Sequence, residues 1–141
     1  QDVPALPQIF RLGEAVFASP QVMLLDLSDL AARGVAVLVS HRPDHEELGQ
    51  PTAEEMAEAA HAVGLTFVHA PVRGLPDEAA THATAQALDG AADGRAVVLF
   101  CRSGMRSAAA WAMARARQGA DPHTLRAAAA EAGYDLSRVP L

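Results

Sequence analysis

Ala96-Val97-Val98-Leu99-Phe100-Cys101-Arg102-Ser103-Gly104-Met105-Arg106-Ser107 is the stretch on which the fold turns. Five apolar residues, two of them valine, run into the chain's single cysteine. An apolar run this short, bounded by Gly94-Arg95 in front and Gly104 behind, reads as a buried strand. A short loop holding Ser, Gly and two Arg follows, and Ala108 to Gln118 then predicts a helix. The unit is strand, tight loop, helix, with a thiol as the first loop residue.

That order has chemical consequences. The first turn of a helix carries N–H groups without intrahelical partners, and the helix dipole adds positive charge there. A loop wrapped round such an end is an anion site. A cysteine held there beside Arg102 and Arg106 is expected to ionise more readily than a free thiol. Its thiolate is a nucleophile, and the surrounding N–H groups would hold an anion or the charge that develops on it. The alternative is a structural cysteine, since free Cys is among the most buried residue types. Two loop arginines, a glycine and a helix start weigh against it.

Cys101 to Ser107 resembles the active-site loop of rhodanese-type sulfurtransferases. It resembles less closely the cysteine-phosphatase loop, in which five residues separate Cys from Arg. Here four residues do. Phe100 stands where phosphatases usually carry His, and both departures lean toward sulfur chemistry.

The 141 residues suit one domain with a core of its own, and half of them are hydrophobic, with alanine in excess. All eleven basic residues are Arg. The net charge of −6 argues against general nucleic-acid binding. Residues 95–126 hold six Arg against Asp121, a local +5 that leaves −11 elsewhere. A positive region around Cys101 fits a small anionic substrate, whereas Arg115, Arg117 and Arg126 read as solvated helix faces. No apolar run approaches a membrane span. One cysteine excludes an internal disulfide and a Cys-rich metal site. A start at Gln1 rather than Met leans toward a mature periplasmic or secreted product over a cytoplasmic one.

Residues 1–13, with Pro4, Pro7 and Gly13, read as an irregular lead-in to a single domain spanning 14–141. Glu14 to Ala18 predicts a short strand, and residues 21–33 a helix stopped by Gly34, although Val22 to Leu27 could also be extended. Val35 to Val39 is the clearest central strand, and it empties into a polar loop from Ser40 to Glu47. Thr52 with Glu55 makes a capping box for a helix to Val63. Thr66 to His69 is a third strand, and Asp77 caps a helix to about Leu88. Asp121-Pro122 starts the last helix, which ends at Gly133.

Strands alternating with helices predict an α/β domain with a mostly parallel sheet and helices on both faces. Ligands bind such sheets at the carboxyl ends of the strands. Three of these ends carry polar groups: His41, Arg42 and Asp44; His69 and Arg73; and Cys101, Arg102 and Arg106.

Four motifs in this order add a more specific resemblance. They are Arg42-Pro43-Asp44-His45-Glu46-Glu47, Gly49-Gln50-Pro51, Val68-His69-Ala70-Pro71 and Cys101 to Ser107. Over roughly residues 15–137 the chain resembles the phosphatase-like domain of beta-lactamase-hydrolase-like proteins, bacterial domains with a dual-specificity-phosphatase-type fold. Phe100 and Leu48 depart from residues common in that family, His and Pro. The resemblance implies a phosphatase fold, and its relatives occur beside or fused to enzymes of sulfide and persulfide oxidation.

Mechanism is an independent criterion. Phosphate-ester hydrolysis needs an acid for the leaving oxygen, whereas sulfane-sulfur transfer needs only a thiolate. Asp77 sits where that acid would be, but already serves as a helix cap. Asp44 and Glu46 are expected to orient Arg42 or Arg106. His41, His45 and Glu46 have a spacing that could bind metal on a helix, but not in a Pro-containing loop, so no metal or other cofactor is expected. His69, Trp111 and Tyr134 read as packing residues, with His69 kept as a possible accessory group.

The expectation is a sulfurtransferase in which Cys101 carries a persulfide. Arg106, the amides of Arg102 to Ser107 and the Arg42 side chain bind the anionic donor, and the Ser103 or Ser107 hydroxyl bonds the thiolate. A thiol acceptor, such as a persulfide-oxidising enzyme, is the expected partner. A cysteine phosphatase on the same loop is the alternative, and a non-catalytic anion- or partner-binding module is a third.

Overall fold

The computed structural model describes residues 9–90 and 94–141. Its sheet has the order β1-β2-β5-β3-β4. The strands are β1 Phe10–Gly13, β2 Val16–Ser19, β3 Val35–Ser40, β4 Thr66–His69 and β5 Ala96–Phe100. β1 runs antiparallel to β2, and the other neighbours are parallel. The helices among the described residues are α1 Leu27–Ala32, α2 Ala53–Ala62, α3 Glu78–Gly90, α4 Met105–Arg117 and α5 Pro122–Glu131. None is long and apolar enough to cross a membrane.

The continuous apolar run of β5 follows from its central position, because a strand covered on both faces has no polar side. Val97 and Leu99 face one core with residues of α3, α4 and α5, including Leu88, Trp111 and Leu125. Val98 and Phe100 face the other, with Leu27 and Leu30 of α1 and Met56 of α2. The alanine excess has a use here. Ala108, Ala109, Ala110, Ala112 and Ala114 of α4 are all buried, and their small side chains let the helix lie close to its neighbours.

Four boundaries differ from the sequence expectation. The lead-in is not irregular throughout: Phe10–Gly13 form β1, while residues 1–8 lie outside the described residues. Four residues are too few for a convincing alternation, and pairing with β2 decides the matter. Glu14 and Ala15 form the turn rather than the start of a strand, with Ala15 at φ +59°. The helix expected over 21–33 begins only at Leu27, after a 3-10 turn at Leu24–Asp26. α4 starts at Met105, not Ala108, so Arg106 and Ser107 belong to its first turn. The capping boxes and stops were legible: Thr52 with Glu55 opens α2, and Asp121 with Pro122 opens α5.

Candidate active site

Ser19, Phe100, Ser40 and His69 pair in one row across β2, β5, β3 and β4. The residues that follow, Cys101, His41 and Ala70, therefore leave the sheet along one edge, at its carboxyl side. Cys101 is fully buried. The Gly104 N–H donates to its Sγ at 3.0 Å. Gly104 sits at φ +98° as the residue before α4, a conformation glycine adopts without penalty. A Cβ there would also overlap the phenol oxygen of Tyr134. Tyr134 O–H donates to the Ser103 carbonyl at 3.4 Å. Burial and then the nearby Cys101 charge raise its phenol above the usual range. Tyr134 is therefore a wall of the loop as well as a packing residue. No local pattern marks that role, which arises where the segment after α5 brings Tyr134 against Ser103 and Gly104.

Arg106 does not point freely into the site. Its Nη1 and Nη2 donate to Glu46 Oε2 and Oε1 at 2.9 and 3.0 Å, and Nη1 also donates to the Val72 carbonyl at 2.8 Å. Arg42 Nε donates to the same Glu46 at 2.8 Å, Nη2 to Glu47 at 2.8 Å and Nη1 to Gln21 Oε1 at 2.7 Å. The Arg106 hydrogen bond, then that of Arg42, holds the Glu46 carboxyl below its usual range. For Arg42, burial opposes the charge, but its hydrogen bonds to Glu47 and Glu46 outweigh it and raise its pKa. The local positive charge expected from the sequence is thus partly offset by two glutamates.

Several assignments are corrected. Arg42 is not placed to bind an anion: its side chain is 2% exposed and engaged by three partners. It anchors Glu46. Asp44 orients neither arginine, because its Oδ1 accepts the Ala53 N–H at 2.8 Å and caps α2. The Ser103 and Ser107 hydroxyls do not bond the sulfur: Ser103 Oγ accepts from Met105 N at 3.3 Å, and Ser107 Oγ lies 2.8 Å from His41 Nδ1. Asp77, by contrast, caps α3 as expected: its Oδ1 accepts the Ala80 N–H at 2.8 Å. His69 Nε2 lies 2.8 Å from the Arg42 carbonyl, bracing the loop from inside. Arg102 is exposed, 3.9 Å from Glu47. His41 and His45 share no site, one buried and the other exposed. His41 is the residue the sequence undervalued. Burial, then Arg106 and His69, lower its pKa to about 3.

The family described as Beta-lactamase hydrolase-like protein, phosphatase-like domain, matches residues 9–120. The chain belongs to this family. A curated relative, the Beta-lactamase hydrolase-like protein of Agrobacterium fabrum strain C58, is 30% identical over 109 residues. That alignment covers 77% of this chain but 25% of the relative, so the phosphatase-like domain spans about a quarter of that protein's length. A solved phosphatase candidate from Neisseria meningitidis Z2491 is 30% identical, with TM-score 0.74, covering 92% of this chain and 91% of the other. Kinase associated phosphatase, solved with its catalytic cysteine replaced by serine, has TM-score 0.74 at 14% identity, covering 93% and 86%. At that identity the likeness is one of fold. The α/β fold of this phosphatase-like domain, with its five-stranded, mostly parallel sheet, is similar to protein tyrosine phosphatase folds.

Proposed function

We propose that this phosphatase-like domain is a cysteine-dependent hydrolase of small phosphate monoesters. The observation that carries the reading is the Cys101 thiol at the end of the central strand, with the Gly104 N–H on its sulfur at 3.0 Å, in a fold shared with cysteine phosphatases. Cys101 forms the S–P bond as the ester P–O bond breaks, while loop amides and Arg106 hold the phosphoryl oxygens. The leaving oxygen takes a proton, and water then cleaves S–P. Asp77, from the segment between β4 and α3, is the candidate acid, and Arg102 lines the mouth.

A second reading, sulfane-sulfur transfer, is favoured by two specific features. Four residues rather than five separate Cys101 from Arg106, and Asp44, Glu46, Glu47 and Asp77 are already engaged by Ala53, arginines and Ala80. In that chemistry the thiolate attacks the sulfane sulfur and expels sulfite or a thiolate. The Cys101 persulfide then passes its outer sulfur to an acceptor thiol, and no leaving oxygen is protonated.

Turnover of an aryl phosphate, thiosulfate and glutathione persulfide, measured side by side, tests both. Aryl phosphate hydrolysis that falls about a hundredfold in Asp77→Asn supports the phosphatase. Gain of one sulfur atom by Cys101, removed by cyanide and untouched by Asp77→Asn, replaces it with the sulfurtransferase. Anion binding that persists in Cys101→Ser, with no turnover of any substrate by the unaltered chain, leaves a binding module.

A further inference from the structure

A buried chain of polar groups runs from α3 to the first turn of α4. Thr84 Oγ1 lies 2.7 Å from the Ala80 carbonyl, His41 Nε2 lies 2.8 Å from Thr84 Oγ1, and Ser107 Oγ lies 2.8 Å from His41 Nδ1. Thr84, His41 and Ser107 expose no surface. Donor and acceptor capacity assigns the protons. A carbonyl can only accept, so the Thr84 hydroxyl donates to Ala80. Thr84 then offers His41 only lone pairs, so His41 Nε2 carries the ring proton. The other nitrogen of the neutral ring has only a lone pair, so the Ser107 hydroxyl donates to Nδ1. His41 also acts through its main chain: its N–H donates to the Phe100 carbonyl at 2.8 Å. One residue therefore ties Phe100 and Ser107, the two flanks of the segment 101–106.

We propose that His41 and Thr84 are positioning residues for the cysteine loop. Thr84 fixes His41 as the Nε2–H tautomer, and His41 takes the Ser107 proton. Ser107 can then only accept hydrogen bonds from the loop, and the Cys101 sulfur depends on backbone N–H donors. The proposal rests on Cys101 as nucleophile, in either chemistry. Neutrality of the ring is essential, because an imidazolium would offer Ser107 a donor instead of a lone pair. Burial, Arg106 and His69 all hold the ring neutral.

Long-range proton–nitrogen NMR of the His41 ring, together with alkylation of Cys101 by iodoacetamide at one pH, tests this. The proton is expected on Nε2 between about pH 5 and 8. An Nδ1–H ring or an imidazolium in that range overturns the proposal. Thr84→Val keeps the side-chain shape but removes the acceptor. His41 is expected to shift to Nδ1–H, releasing the Ser107 proton toward the loop and slowing alkylation several-fold. Thr84→Ser is expected to stay within about twofold of the unaltered chain. In a Ser107→Ala background, Thr84→Val has no proton left to redirect and so no further effect. Equal slowing with and without Ser107 would show general loosening and overturn the proposal. If Thr84→Val fails to fold, the ring tautomer in the unaltered chain and in Thr84→Ser still decides the outcome. A Cys101 that resists alkylation in every variant would count against the nucleophile, while the ring signal still reports on His41.

Discussion

Gly104 combines two requirements that no other residue meets. Its φ of +98° disfavours a side chain, and a Cβ would run into Tyr134. Gly104→Ala is expected to cost about 2–4 kcal/mol in urea unfolding and to slow Cys101 alkylation, because the N–H on the sulfur moves with the backbone. Tyr134→Phe loses one long hydrogen bond to Ser103 and is expected to cost about 1 kcal/mol or less. Glu46 is the other decisive side chain, shared by Arg106 and the buried Arg42. Glu46→Gln should weaken sulfate or phosphate binding about tenfold, as judged by titration calorimetry, because Arg106 loses the bidentate partner that fixes its plane. Arg117→Ala, distant from the loop and paired with Glu78 on the surface, should leave that binding unchanged. Equal effects of the two substitutions would misplace the anion.

Among the elements, α2 and α4 show two ways to start a helix. α2 uses side chains. Thr52 accepts the Glu55 N–H at 3.1 Å, Glu55 answers the Thr52 N–H at 2.9 Å, and Asp44 takes the Ala53 N–H. Thr52→Ala is expected to cost about 1 kcal/mol, measurable as a shift in the urea midpoint, with little effect on Cys101 reactivity. α4 instead enters through Gly104, a cap residue with no side chain to offer, and only Ser103 Oγ takes one N–H, that of Met105, at 3.3 Å. That end keeps backbone N–H groups for the sulfur and for an anion. The difference is functional: a helix whose first turn is satisfied by its own side chains has nothing left to give a ligand.

For the molecule as a whole, acid is the expected weakness. His41 has a folded pKa of about 3 against an ordinary value of 6.5. Between these values the unfolded chain binds the extra proton, so stability falls as pH falls below about 6.5 and goes on falling toward 3. The full slope is about 1.4 kcal/mol per pH unit, so roughly 2 kcal/mol should be lost between pH 7.5 and 5. Glu46, held low by Arg106 and Arg42, starts its own loss below its ordinary value of 4.5 and adds to the same limb. Urea unfolding over that range checks this, and a flat profile between pH 7 and 5 would mean that His41 is not buried neutral.

The sheet, its parallel character and the Cys101 loop were legible because each is written locally. Apolar runs at Val35 to Val39 and Ala96 to Phe100, glycine stops and cap residues need no knowledge of distant partners. The roles of Ser107, Tyr134 and His41, and the Gln21 contact of Arg42, were not legible, since each depends on a group far along the chain. The pairing of Glu46 with Arg42 and Arg106 was expected and is found, but Arg42 also read as an anion ligand, and only Gln21 and Glu47 closing round it as well show it to be an anchor. His41 read as one of several polar loop residues. Its contacts with Thr84 and Ser107, 43 and 66 residues away, form only when α3 and α4 pack on the same face of the sheet. The residue types along the chain thus set which chemistry the loop can attempt, through a thiol and a helix entry adjacent in sequence. Long-range packing set which of the surrounding charges and hydroxyls are free to take part, because desolvation forces every buried polar group to find a partner, and that partner removes it from the site or fixes it there.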